Sequence, residues 1–187
     1  DYYKDQIYYT DAKSSLMTTI TSAYNLEEDP SKTVVRICDP IVVDNDFKGV
    51  VCMELDLAAF NVLKHEDSRF PSLFTSVLDN EGNFLYASNE ALKGKNLADA
   101  SAKEDLSRIK EKMKEGKSFH TVAKNSSGGK RRLYFAPTQF GNTTWWSLMS
   151  IADADYQRVT KKLILTSVII GLSGVLLLIA STYFFVK

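Results

Sequence analysis

A chain of 187 residues with 23 basic and 23 acidic side chains carries no net charge, which excludes the basic excess that a dedicated nucleic-acid binder needs to hold phosphates. From Leu163 to Val186 there are 24 consecutive residues without a charge, Pro, Asn or Gln, of which 17 are apolar. That length and composition predict a bilayer span. The chain begins with Asp1 rather than Met and has no apolar run near its start. It therefore reads as a fragment without a signal peptide of its own, with further chain expected before Asp1 and after Lys187.

The first predicted element lies in TVVRICDPIVVDNDFKGVVCMELDL, Thr33 to Leu57, where a β-branched run, a polar turn at Asp44 to Asp46 and a second apolar run make a hairpin. Cys38 and Cys52 are the only cysteines and fall on its two arms. If the turn closes as three residues centred on Asn45, Cys38 lies directly across from Cys52, and a cross-strand disulfide can form in an oxidising compartment. The alternative is two small buried thiols, since a register change of one residue separates them. A second hairpin follows in SLFTSVLDNEGNFLYAS, Ser72 to Ser88, with Asp79, Asn80, Glu81 and Gly82 as the turn.

SAKEDLSRIKEKMKEGK places Leu106, Ile109 and Met113 at spacings of 3 and 4 with Gly116 as the stop, which predicts one amphipathic helix with a solvated Lys/Glu face. KSFHTVAKN, RRLYFAP and WWSLMSI then read as strands separated by SSGGK and TQFGNTT. Hairpin, helix and three-strand meander describe an α+β lobe, an antiparallel sheet with a helix on one face, whose start is marked by Pro71. From Asp153 nothing breaks a helix, so a juxtamembrane stretch over 153–162 is expected to enter the span over 163–186 as one rod. At about 1.5 Å per residue the span covers about 36 Å, enough for a hydrocarbon core of about 30 Å. Within it Ser167, Gly171, Gly174 and Ser181 follow steps of 4, 3 and 7 along one seam. Such a seam fits a partner helix, and a homodimer through the membrane and juxtamembrane helices is expected.

No catalytic constellation emerges, so no enzyme is expected in this stretch. His65 and His120 have no ligand-spaced Cys, Asp or Glu, and both are read as solvated surface residues rather than metal ligands. SSGGK is too short for a phosphate loop and precedes no helix. No metal and no cofactor are expected.

Three segments resemble a known family, the extracytoplasmic double Cache (PAS-like) sensor module of bacterial receptors. DPIVVDNDFKGVVCMELDLAAFNVL is similar to the segment that closes its membrane-distal lobe, a Pro-Ile, a turn and Phe-x-Gly-Val-Val-x-x-Asp-Ile. SVLDNEGNFLYASNEALKGKNL is similar to the opening hairpin of the membrane-proximal lobe, and RRLYFAPTQFGNTTWWSLMSI to its last two strands before a transmembrane helix. The resemblance implies a PAS-like lobe over 63–152, preceded over 1–62 by the C-terminal part of a second such lobe, which lacks its long N-terminal helix and first strands. It also implies an output module beyond Lys187, a chemotaxis domain, kinase, phosphatase or cyclic-dinucleotide enzyme. The soluble part is then expected outside the cytoplasmic membrane, against the bare count of Arg158, Lys161 and Lys162 on its flank, because large domains translocate regardless of such charges.

In members that bind amino acids or other amines, the distal pocket carries an aromatic pair, a Tyr-x-Asp and a later Asp on the Gly-Val-Val strand. Here Tyr2 and Tyr3 stand for the pair, Tyr9 and Asp11 for the Tyr-x-Asp, and Glu54 for the strand acid. Tyr2 replaces a Trp, Glu54 replaces an Asp, and the gap from Tyr3 to Tyr9 is short. The implied chemistry is an ammonium held by desolvated carboxylates beside aromatic faces; the alternative is a Tyr-rich solvated loop on the sheet. The expected function is ligand sensing for a bacterial transmembrane receptor, with a small molecule and the lipid bilayer as partners and no nucleic acid. Competing with it are a membrane-anchored cell-surface structural or partner-binding domain without small-molecule sensing and a tail-anchored cytosolic protein.

Overall fold

The computed structural model describes residues 6–64, 67–141 and 143–186. Helix α1 (Ile7–Ser15) opens the described chain and ends where Leu16 turns left-handed at φ 51. Two short strands follow, β1 (Thr19–Ile20) and β2 (Tyr24–Asn25), and then the long hairpin β3 (Thr33–Val43) and β4 (Asp46–Asp56). Both short strands pair antiparallel with β3 on the side away from β4. Neither α1 nor the short strands are legible in the sequence. Only Ala12 of α1 is buried, so no apolar stripe announces the helix.

The hairpin closes differently from the three-residue turn expected. Val43 pairs with Asp46, so the turn is two residues, Asp44 and Asn45, both at positive φ. Asp and Asn tolerate that region, and the mirror-image turn they make matches the twist of the strands. A bulge then skips Lys48, because Val42 faces Phe47 whereas Ile41 faces Gly49. The extra residue moves the register by one, and Cys38 stands opposite Cys52, joined to it by a disulfide.

A 3-10 helix (Leu57–Leu63) leads to the second sheet. Its strands are β5 (Phe74–Leu78), β6 (Phe84–Ala87), β7 (Phe119–Lys124), β8 (Lys130–Phe140) and β9 (Thr143–Ala152), in the order β6-β5-β9-β8-β7. The last strand therefore returns to the centre and pairs with the first, as well as with β8. TQFGNTT, read as a loop, is mostly strand. Phe140 pairs with Thr143, and a Cβ on Gly141 would run into the Thr18 carbonyl. Helices α2 (Leu97–Ala100) and α3 (Lys103–Lys114) cover one face, where Ile109 and Met113 pack on Leu78, Phe135, Trp146 and Leu148. The neighbouring Trp145 points to the opposite face, as successive strand residues must, and joins Val77, Leu85 and Tyr86 against Val35 and Leu57 of the first sheet and its 3-10 helix. The expected α+β architecture with a long C-terminal apolar helix is thus present.

β9 runs directly into α4 (Asp153–Val186), a single 34-residue helix. It is the one helix among the described residues long and apolar enough to cross a membrane. Its first turns are bolted to the second sheet. Arg132 Nε donates to Asp153 Oδ1 at 2.8 Å and its guanidinium sits 4.0 Å from the Tyr156 ring centre. The Ser72 amide donates to Asp155 Oδ2 at 3.1 Å, and Arg131 donates to the Ser72 carbonyl at 2.7 Å.

Candidate ligand-binding site

A cleft of about 810 Å³ lies over β3 and β4, walled by α1 on one side and by the chain from Thr19 to Glu28 on the other. Strand geometry builds its floor. Tyr24 pairs with Val34, Arg36 lies two residues further along β3 and Glu54 is directly across from Arg36, so all three side chains emerge on one face. Arg36 Nη2 donates to Glu54 Oε1 at 2.6 Å, and the Tyr24 hydroxyl donates to the same oxygen at 2.7 Å. The Arg36 guanidinium also lies 4.8 Å from the Tyr8 ring centre and 5.5 Å from that of Tyr24, a cation between two aromatic faces.

These contacts set the charges. The Arg36 guanidinium, and after it the Tyr24 hydroxyl, holds the Glu54 carboxyl below its ordinary value. The hydrogen bond to Glu54 holds Arg36 above its own. Burial, and then the hydrogen bond to Glu54, pushes the Tyr24 hydroxyl up. The cleft thus presents a fixed cation and a fixed anion side by side. Both bonds land on Oε1 of Glu54, and Oε2 takes none among the described residues.

Of the residues singled out in the sequence, Asp11 and Glu54 line this one cleft. Tyr9 does not join them, since the next position of α1 is rotated away and its ring meets Phe47 edge-on at 5.3 Å. Tyr2, Tyr3 and His65 lie outside the described residues. His120 is exposed on β7 and stacks on Tyr134 at 6.0 Å. Three cleft residues were missed: Tyr8, Tyr24 and Arg36. Arg36 was within reach, because the register that sets Cys38 opposite Cys52 also sets Arg36 opposite Glu54. Tyr24 carries no acid two residues on, so a Tyr-x-Asp spacing passes over it. Among the described residues no group of three or more His, Cys, Asp or Glu could hold a metal. The second sheet's lobe holds an interior cavity of about 30 Å³ between Phe74, Leu97 and Leu133, room for water but not for a metabolite, and a more open depression of about 850 Å³ bordered by Pro71, Phe74, Asn89 and Arg131.

No protein-family model matches the chain, and no curated protein sequence matches it. Solved structures do. The extracellular domain of the proposed histidine kinase mmHK1S-Z3 matches 86% of this chain and 58% of its own, with a TM-score of 0.69 at 19% identity. The periplasmic sensory domain of the Campylobacter jejuni chemoreceptor Tlp1 matches 83% of this chain and 57% of its own, with a TM-score of 0.66 at 19% identity. The chain shares the fold of these two domains. A third structure, the ligand-binding domain of the Pseudomonas aeruginosa amino acid chemoreceptor PctB in complex with L-Arg, matches 82% of this chain and 62% of its own, with a TM-score of 0.59 at 19% identity. The chain spans less than two thirds of the length of each. Within this fold the cleft belongs to the lobe that holds β3 and β4, and α4 leaves from the other lobe.

Proposed function

We propose that this chain is the extracytoplasmic ligand-sensing region of a bacterial transmembrane signalling receptor, anchored by α4, and that its ligand is a small zwitterion, an amino acid first and another amine next. The observation that carries the reading is the Arg36–Glu54 pair in the open cleft, flanked by Tyr8, Tyr24 and Asp11. A ligand ammonium finds Glu54 Oε2 and the Asp11 carboxylate beside aromatic faces, and a ligand carboxylate finds the Arg36 fork. The L-Arg complex of PctB, a protein of the same fold, supports the ligand class. In this reading residues 1–62 belong to a membrane-distal lobe and 63–152 to a membrane-proximal one. The juxtamembrane turns of α4 carry the response into the membrane, where the seam of Ser167, Gly171, Gly174 and Ser181 faces a second copy.

Titration calorimetry on the complete ectodomain, with a panel of amino acids and amines, tests the assignment. One panel member should bind, and Glu54→Gln should weaken it by about thirtyfold or more, the loss typical of a truncated charge-assisted contact. Binding only to uncharged or purely anionic compounds, or an affinity unchanged in Glu54→Gln, favours a partner-binding surface domain instead.

A further inference from the structure

The disulfide and the Arg36–Glu54 pair occupy neighbouring rungs of the same two strands. Arg36 is opposite Glu54 and Cys38 is opposite Cys52, and alternation places both rungs on one face. Between the disulfide and the turn sits the bulge at Lys48. A bulge is one extra residue in one strand, and shifting it along the hairpin shifts every pairing it passes. Were it to move inward past the cysteines and on to Glu54, Arg36 would pair with Met53 rather than Glu54. Because the side-chain period is two, Arg36 and Glu54 would then emerge on opposite faces. The sheet does little to forbid this. Val51 and Met53 are 60% and 65% exposed, so their inward or outward placement is weakly specified by burial.

We infer that the Cys38–Cys52 disulfide is a register lock: it confines the bulge to the turn side of the cysteines and so keeps Arg36 across from Glu54. The bond can exist only in the register that builds the pair, because the slipped register sets Cys38 opposite Val51. Cys38 is fully buried and Cys52 is exposed, so thiol–disulfide exchange starts at the Cys52 sulfur. A dithiol reductant delivers two electrons and two protons, leaves as its own disulfide and frees both thiols. The cleft is then free to lose its paired charges. The lock stands on strand geometry alone, and only its consequence for a ligand rests on the function proposed above.

Cysteine trapping in the full chain reads the register without any ligand. In Cys38→Ser with Ile37→Cys, the new thiol and Cys52 point to opposite faces in the native register and directly oppose each other in the slipped one. In Cys38→Ser, Cys52→Ser, Ile37→Cys and Met53→Cys, the two thiols oppose each other only in the native register. Mild oxidation should trap both pairs, because irreversible bonding accumulates even a state about 0.1–10% populated. Deleting Lys48 removes the bulge and restores an uninterrupted ladder in the native register, so it should abolish the 37–52 bond and spare the 37–53 bond. Trapping of 37–53 alone overturns the lock, as does a 37–52 yield that the deletion leaves unchanged. Either result leaves the ligand assignment standing, whereas failure of the calorimetry removes that assignment and leaves the lock.

Discussion

Glu54 accepts hydrogen bonds from Arg36 at 2.6 Å and from Tyr24 at 2.7 Å, and these lower the free energy of its ionised form relative to the unfolded chain. The folded-state value therefore lies below the ordinary 4.5. A depressed carboxyl contributes stability that is fully present above the unfolded value and is lost as pH falls through the folded one. Denaturant melts of the native chain and Glu54→Gln should thus differ by a constant amount from neutral pH down to about 5 and converge below that. A gap that persists unchanged to strongly acid pH would count against the pair as the source. The contribution is small, since both side chains are about a third exposed and solvent screens the attraction. Its interest lies in placement, because a cation and an anion are held ready at the floor of a cleft.

At the scale of elements, the informative junction is the one between β9 and α4. The first turns of α4, Asp153 to Lys162, contain neither Pro nor Gly, so displacement at its start is carried through them without a hinge. Its start is held by Arg132 on β8 and by Ser72 in the segment before β5, the segment that descends from the 3-10 helix beneath the cleft lobe. Motion of the cleft lobe therefore has a short covalent and hydrogen-bonded route to α4. Inserting Gly-Gly between Asp155 and Lys162 should leave ligand affinity unchanged while abolishing output from the complete receptor. Normal signalling by the insertion variant would rule out a rigid rod. Local chemistry explains the legibility of these elements: the Asp79–Gly82 turn, the 3-4 spacing of Leu106, Ile109 and Met113, and the apolar run of α4 each act within a few residues.

For the whole molecule, the cleft lies in one lobe and the C-terminal apolar helix leaves from the other. Protease added to intact spheroplasts should digest residues 1–162 and leave the span, whereas full protection would reverse the proposed orientation. The long apolar helix, both hairpins, the α3 helix and the α+β class are all determined by the sequence alone, because periodicity and turn chemistry are local properties of the chain. Tertiary structure decided the rest. Pairing of β5 with β9 joins residues about seventy positions apart, and no local pattern encodes which strand becomes the centre. The site depends on the same kind of information. Tyr8 faces the cleft and Tyr9 does not because of a single step of helix rotation, and Tyr24 meets Glu54 because β2 and β4 flank the same strand. Even the Cys38–Cys52 register comes from a two-residue turn corrected by a bulge rather than from the three-residue turn that composition suggested. A side-chain period of two makes every such choice all-or-none, and only long-range packing makes it.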